Sequence, residues 1–433
     1  MKAYQEIRDV PYTFNADLGM VYSSPCRGTW NIVHYGLLVP EGHEIYVCPT
    51  SCLRGVVLTT AELGIQAMKK LSTITVGEDN LLDGDMEEEL YHGTKEILSK
   101  LDPKPRMVMI FTSCVHHFLA VNYQRVYRKL RQEYPDIDFI DCYMDPVMRR
   151  KNPPDPSLRR QVLRVLKPAE KEADHAAFVG NCFPMEWCDL IPLLKRNGIR
   201  ISDLTMTKTY DEFLDQAHAS VNFTFHRAAA PAARDLKIRL GQEWVEMHET
   251  YDYEAIEKDL DRAAEAMHIP PYSEAEYAEL RKQTEAKVEK AREVLDGIPV
   301  SIDYTLIDEP LGLALYLLDH GFEVESVLID SIHEDESVFR KLQARKPDLR
   351  FYNSLNWNMR ACDRTHDGKI VGIGQKAAYF NNTPYFINAV ENAGMYGYQG
   401  IMRLMDLLIE AAETPKDLKR LVQVKGWGCR CNG

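Results

Sequence analysis

Two hydrophobic patterns alternate along this chain. Short runs of consecutive apolar residues are what a strand buried on both faces requires. Longer stretches, in which apolar residues return every three or four positions, are what one face of a helix requires. "RMVMIFTSC" (106–114) predicts a buried strand, "NYQRVYRKLRQEY" (122–134) a helix and "IDFIDCY" (137–143) a second strand. The same order returns at "HAAFVGNC" (175–182), "MEWCDLIPLLKRNG" (185–198, stopped by Gly198) and "IRISDLT" (199–205). A third block runs through "IPVSIDY", "EPLGLALYLLDHG" and "FEVESVLID" (298–330), then the short strands "KIVGIG" and "YFINAV" and the helix "QGIMRLMDLLIEAAE" (399–413). Strand–helix–strand alternation is the mark of βαβ units, so the expected class is α/β with parallel sheets. Between the second and third blocks, residues 253–294 read as helix broken at Pro270-Pro271, with Glu and Lys spaced for i,i+4 pairs, and a solvated connector is expected there.

A chain of 433 residues is long for one core and suits about three domains. No apolar run approaches the roughly 20 residues that span a bilayer, and the N-terminus lacks the apolar core of a signal peptide, so a cytoplasmic protein is expected. A net charge of -13 argues against nucleic acid as a partner, since phosphate binding needs clustered Lys and Arg. Ten cysteines in a reducing compartment point to metal ligands, catalytic thiols or core filler before disulfides.

Cys26 lies in a Pro-Cys-Arg-Gly turn, Cys52 in "PTSCLRG" and Cys114 at the end of a predicted strand. Their wide spacing excludes a zinc finger, whose ligands come in close pairs, and suits a cluster assembled from distant loops. Iron–sulfur clusters are held by thiolates, and three cysteines leave room for a ligand from elsewhere, including another subunit. Cys48, in C-x3-C with Cys52, is a fourth candidate or a neighbour in the core. Cys429 and Cys431 form C-x-C in "GWGCRCNG", a second metal or redox site or an ordinary tail. His116 and His117 after Cys114 are weak candidates for proton donation, as are His226 and Arg227, the latter suited to an anionic group. Cys142, Cys182, Cys188 and Cys362 read as filler.

"PCRGTWNIVHYGLLVPEGHEIYVCPTSCLRG" resembles the opening of the nitrogenase component 1 superfamily, with its Cys-x-Gly turn, helix and second cysteine among small residues. Three later stretches resemble the same family in the same order. They are "GEDNLLDGDMEEEL" (77–90, with Asp85 where Gly is common), "IFTSC", and "YFNNTPYFINAVENAGMYGYQGIMRLMDLL" (379–408). The resemblance implies three Rossmann-like domains, here 1–165, 166–294 and 295–433, and Cys26, Cys52 and Cys114 as ligands of an iron–sulfur cluster, 4Fe-4S or larger, at a subunit interface. It also implies a homodimer or a heterotetramer with a sister subunit, and a separate ATP-dependent iron protein as electron donor. This chain has neither G-x-x-x-x-G-K-[ST] nor G-x-G-x-x-G, so the phosphate chemistry would belong to that partner.

The sequence departs from nitrogenase where the iron-molybdenum cofactor is held. The cysteine position falls near Phe225 and the histidine position near Ile387, and neither side chain can ligate a metal. Dinitrogen reduction is therefore not expected. The similarity that remains is to the beta-type partner subunit and to the tetrapyrrole-reducing branches, such as dark-operative protochlorophyllide reductase and nickel-sirohydrochlorin reductive cyclase. The expected function is an anaerobic electron-transferring reductase of a small organic or tetrapyrrole-type substrate, with a metal-cofactor assembly scaffold of the same fold as the alternative.

Overall fold

The computed structural model describes residues 3–13, 22, 24, 32–144 and 153–422. It forms two compact units, one of Asn31–Cys182 with Gly198–Glu246, the other of Met1–Trp30, Phe183–Asn197 and Met247–Gly433. No helix among the described residues is long and apolar enough to cross a membrane.

The first unit holds two four-stranded parallel sheets. One runs in the order Leu71–Thr75, Gly42–Cys48, Met107–Thr112, Asp138–Tyr143, the other Glu243–Glu246, Ala219–Thr224, Glu172–Phe178, Arg200–Asp203. Strand Gly42–Cys48 is buried at every residue, and the period of two gives its faces different tasks. Ile45 and Val47 enter an apolar core with Leu90 and Leu98 of helix Met86–Lys100 and Val126 and Leu130 of helix Tyr123–Glu133. Glu44, Tyr46 and Cys48 occupy the opposite face, where Tyr46 stacks on Phe111 at 4.4 Å between ring centroids. Helix Pro154–Val162 packs against both strand Asp138–Tyr143 and helix Ala230–Leu240, tying the two sheets together.

The second unit is built on a six-stranded sheet in the order Gln5–Glu6, Arg350–Asn353, Val324–Ile329, Val300–Asp303, Val371–Ile373, Phe386–Ile387. Only the pairing of Gln5–Glu6 with Arg350–Phe351 is antiparallel. Strand order reverses between Val300–Asp303 and Val371–Ile373, the place where doubly wound sheets leave a crevice at their carboxyl ends.

Two expectations change. The helix expected over 185–198 is confined to Leu190–Arg196, because Trp187–Cys188 pairs as a parallel strand with Met395–Tyr396. The two helices expected on either side of Pro270-Pro271 form, as Tyr253–Ala266 and Glu274–Leu295, but they are not a solvated connector. The second buries Tyr277, Thr284, Val288, Ala291 and Leu295 and packs along helix Gly397–Glu413. Its charged residues mask a buried stripe.

Candidate metal and electron-transfer site

Three of the cysteines stand at the carboxyl edge of the first sheet. Cys48 is the last residue of its strand and is wholly buried. The chain turns at Pro49, whose carbonyl accepts the Cys52 N–H at 2.9 Å, and enters helix Thr50–Glu62 with Cys52 exposed in its first turn. The neighbouring strand Met107–Thr112 runs parallel in the register Val47 opposite Thr112, so Cys114 emerges beside Cys48 and opens helix Cys114–Phe118, half-buried. Proximity of the sulfurs appears in their electrostatics: burial first, then the charges of Cys52 and Cys114, push the Cys48 thiol up to about 12. A thiol so placed ionises only when a cation arrives to hold the thiolate.

Behind Cys114, His116 is wholly buried, and burial lowers it to about 4, so its imidazole is neutral. Its Nδ1 accepts the Ser113 N–H at 3.4 Å and lies 3.3 Å from Ser113 Oγ, while Nε2 is enclosed without a hydrogen-bond partner among the described residues. His117 points to solvent. Apolar side chains stand exposed after Cys114, at Phe118 and Leu119, and along the Cys52 helix at Leu58, whereas the exposed Leu63 and Ile65 lie where that helix has returned to the amino edge of the sheet.

The donor set is a run of soft thiols presented singly from separate turns, which suits a polynuclear cluster taking one thiolate per iron. Among the described residues no three His, Cys, Asp or Glu side chains converge tightly enough to hold a single metal ion. Cys26, Cys429 and Cys431 lie outside the described residues.

The remaining sequence candidates stand in the second sheet of this unit. Phe225 is buried edge-on to Phe178 at 5.0 Å, a packing role. His226 is half-buried at the end of strand Ala219–Thr224, its Nδ1 accepting the Ala228 N–H at 3.1 Å, and Arg227 follows in a single 3₁₀ turn. His226 therefore works as a cap. In the other unit Ile387 is buried within its strand. Spacing alone leaves Cys48 as a fourth candidate or a neighbour in the core; the structure places it at the last position of a wholly buried strand, four residues before Cys52.

A family model for nitrogenase component 1 type oxidoreductases matches residues 39–412. Among solved structures, "Nitrogenase Cp1 at pH 6.5" superposes with a TM-score of 0.67 at 11% identity, covering 94% of this chain and 95% of that one. "Nitrogenase Cp1 at pH 5" superposes with a TM-score of 0.59 at 12% identity, covering 94% and 92%. At such identity the likeness is one of fold. No curated protein matches the chain.

Proposed function

Because the chain belongs to the nitrogenase component 1 type oxidoreductases, we propose that it is the catalytic-component subunit of a nitrogenase-like reductase. In this reading a separate ATP-hydrolysing iron protein supplies electrons through an iron–sulfur cluster, 4Fe-4S or larger, at a subunit interface in the cytoplasm. The electron acceptor is a small organic or tetrapyrrole-type substrate other than dinitrogen. The domain division 1–165, 166–294 and 295–433 is part of the same proposal.

The observation that carries it is the convergence of Cys48, Cys52 and Cys114 at one sheet edge. Cys26, outside the described residues, is a further ligand on the strength of the family resemblance, and Cys48, a fourth candidate or a neighbour in the core by sequence, is taken as a ligand. When bound, the cluster stores and passes single electrons. The chain's own part is to present the thiolates, to shield the buried side of the site with the Tyr46–Phe111 stack, and to keep the neutral imidazole of His116 behind Cys114. Burial of this kind sets a cluster's potential by limiting solvent and fixing hydrogen bonds. The exposed Leu58, Phe118 and Leu119 support an assembly in which a sister subunit or second copy covers the cysteine loops. Phe225 and Ile387, both in apolar packing, support an acceptor other than dinitrogen.

Anaerobic purification followed by iron analysis and EPR tests the reading. Wild-type protein is expected to carry iron with a cluster signal, and the combined Cys26→Ala, Cys52→Ala and Cys114→Ala variant to lose both; unchanged iron in that variant overturns the site. Cys48→Ala alone is expected to lower iron content, and full retention returns Cys48 to the core. With its iron protein and ATP the reductase should show substrate-dependent ATP hydrolysis, whereas an assembly scaffold would pass its cargo to an acceptor without turnover.

A further inference from the structure

Helices Pro310–Asp319 and Glu336–Arg345 pack side by side and run in the same direction. At their amino ends the Leu311 N–H donates to Glu334 Oε1 at 2.8 Å. At their carboxyl ends Arg345 donates from Nη2 to the Leu318 carbonyl at 2.7 Å and from Nε to Asp319 Oδ1 at 3.1 Å. Between the helices, and lined also by residues 250–252, lies an open groove of about 660 Å³. Small-molecule sites run from roughly 300 to 1,000 Å³. Every residue lining the groove belongs to the second unit.

Two tyrosines line it, and each is fixed through its hydroxyl. Tyr251 donates to Glu249 Oε1 at 2.8 Å. The Tyr316 hydroxyl meets that of Tyr253 at 2.9 Å, and Tyr253 donates in turn to Glu285 Oε1 at 2.7 Å. The rings of Tyr251 and Tyr316 stand 5.8 Å apart between centroids, tilted by 39°. Their hydroxyls are occupied, so a ligand meets their rings. Gly312 keeps the first ring uncovered. A Cβ there would lie 3.8 Å from Tyr251 Cδ2 and 3.8 Å from Glu309 Cβ, so any side chain would cover the spot that these two residues flank. Glycine is a poor helix residue, and at this position its smallness leaves the groove open.

Charge is divided along the groove. Asp252 and Glu309 line it beside the Tyr251 ring, and Asp252, which is exposed, uses only Oδ1 to cap helix Tyr253–Ala266. Lys341 and Arg345, one turn apart, line it from the other helix. Arg345 is matched by Asp319, whereas Lys341 is exposed and has no charged partner among the described residues. From Gly312 to Asp319 the helix rises about 10 Å. Leu315 and Val338, both half-buried, supply apolar surface between the two ends.

We propose that this groove binds an extended zwitterion, of which a tripeptide with free ends is the simplest form. Its ammonium lies against the Tyr251 ring between Asp252 and Glu309, and its carboxylate reaches Lys341 and Arg345. Its middle side chain packs on Tyr316, Leu315 and Val338. Three extended residues span about 10 Å, the length of the groove. The ammonium is held by two separate effects, the attraction of a cation to an aromatic face and the charge of the flanking carboxylates. Binding here needs neither a cluster nor an electron donor.

Equilibrium dialysis of the full-length protein with the tripeptide Gly-Phe-Gly tests the site. The same peptide acetylated at its amino end, amidated at its carboxyl end, or blocked at both, serves to read each end separately. Wild-type protein is expected to retain the free peptide and to hold the doubly blocked one at least several-fold more weakly. Asp252→Asn, which keeps the helix cap, is expected to weaken the free peptide by about fivefold and leave the acetylated one unchanged. Lys341→Gln is expected to weaken the free peptide by about fivefold and leave the amidated one unchanged. Free phenylalanine, which carries both charges without the reach, is expected to bind more weakly than the tripeptide. No binding of the free peptide overturns the site. Equal affinity for the doubly blocked peptide shows a groove that reads apolar surface alone and overturns the zwitterion, as does a variant that weakens all forms alike. Equal binding of phenylalanine overturns the span. A protein found to contain no iron would overturn the reductase reading and leave these outcomes as they are.

Discussion

Asp189 shows how a single buried carboxyl can tie stability to pH. It precedes helix Leu190–Arg196 but turns toward the start of helix Gly397–Glu413, where Oδ2 accepts the Gln399 N–H at 3.2 Å. Gly397, at φ +71°, makes the approach possible, since a Cβ would lie 2.4 Å from that oxygen. Oδ1 has no partner among the described residues, and burial raises the group from 3.8 to about 7. The folded state therefore holds the proton more tightly than the unfolded state. The resulting stability is complete below about 4, falls as pH rises and is gone above about 7. Asp189→Asn should match wild type at pH 4 and exceed it at pH 8 by about 1–3 kcal/mol, the usual cost of an unsatisfied buried polar group. Urea midpoints at the two pH values check this, and equal differences at both would refute it. At this scale the sequence was read unevenly. The cysteines stood out because thiols have few ordinary uses in a reducing compartment. Asp189 and Tyr316 are common residue types whose meaning comes from burial and from partners far along the chain.

Elements were more legible, and the exceptions share a cause. Strands such as Met107–Thr112 and Asp138–Tyr143 fall inside the predicted apolar runs, because a parallel sheet covered on both faces demands such runs. Trp187–Cys188 escaped because its pairing with Met395–Tyr396 is remote in sequence, and local helix preference had nothing to oppose it. The stripe on helix Glu274–Leu295 escaped because Thr284 and Ala291 bury without being strongly apolar. That helix begins with a reciprocal cap: the Ser273 N–H reaches Glu276 Oε2 at 2.7 Å, and the Glu276 N–H reaches Ser273 Oγ at 3.3 Å. Ser273→Ala should cost about 1 kcal/mol, measured by denaturant unfolding. Leu130, wholly buried on helix Tyr123–Glu133, belongs to the core shared with strand Gly42–Cys48. Leu130→Ala should cost about 2–5 kcal/mol and show the same loss by circular dichroism and by fluorescence.

For the whole molecule, the exposed apolar residues beside the cysteine loops make assembly state a measurable consequence. Phe118 is 68% exposed and Leu119 47%. A combined Phe118→Glu and Leu119→Glu variant should sediment as a smaller species than wild type with unfolding midpoints little changed. An unaltered sedimentation coefficient would place the subunit contact elsewhere.

The edge strand Gln5–Glu6 adds a constraint in time. Its partner, Arg350–Phe351, is made some hundreds of residues later, and the unit they share draws on three separate stretches of chain. At about 5–20 residues per second of synthesis, the first strand waits roughly 20–70 s for the backbone it pairs with. During that interval Asn31–Cys182 and Gly198–Glu246, which cluster as one compact unit, are already synthesised. Cys48, Cys52 and Cys114 are thus synthesised well before the strands from Val300 to Ile387, and a donor of iron and sulfur could meet their thiols before the rest of the protein exists.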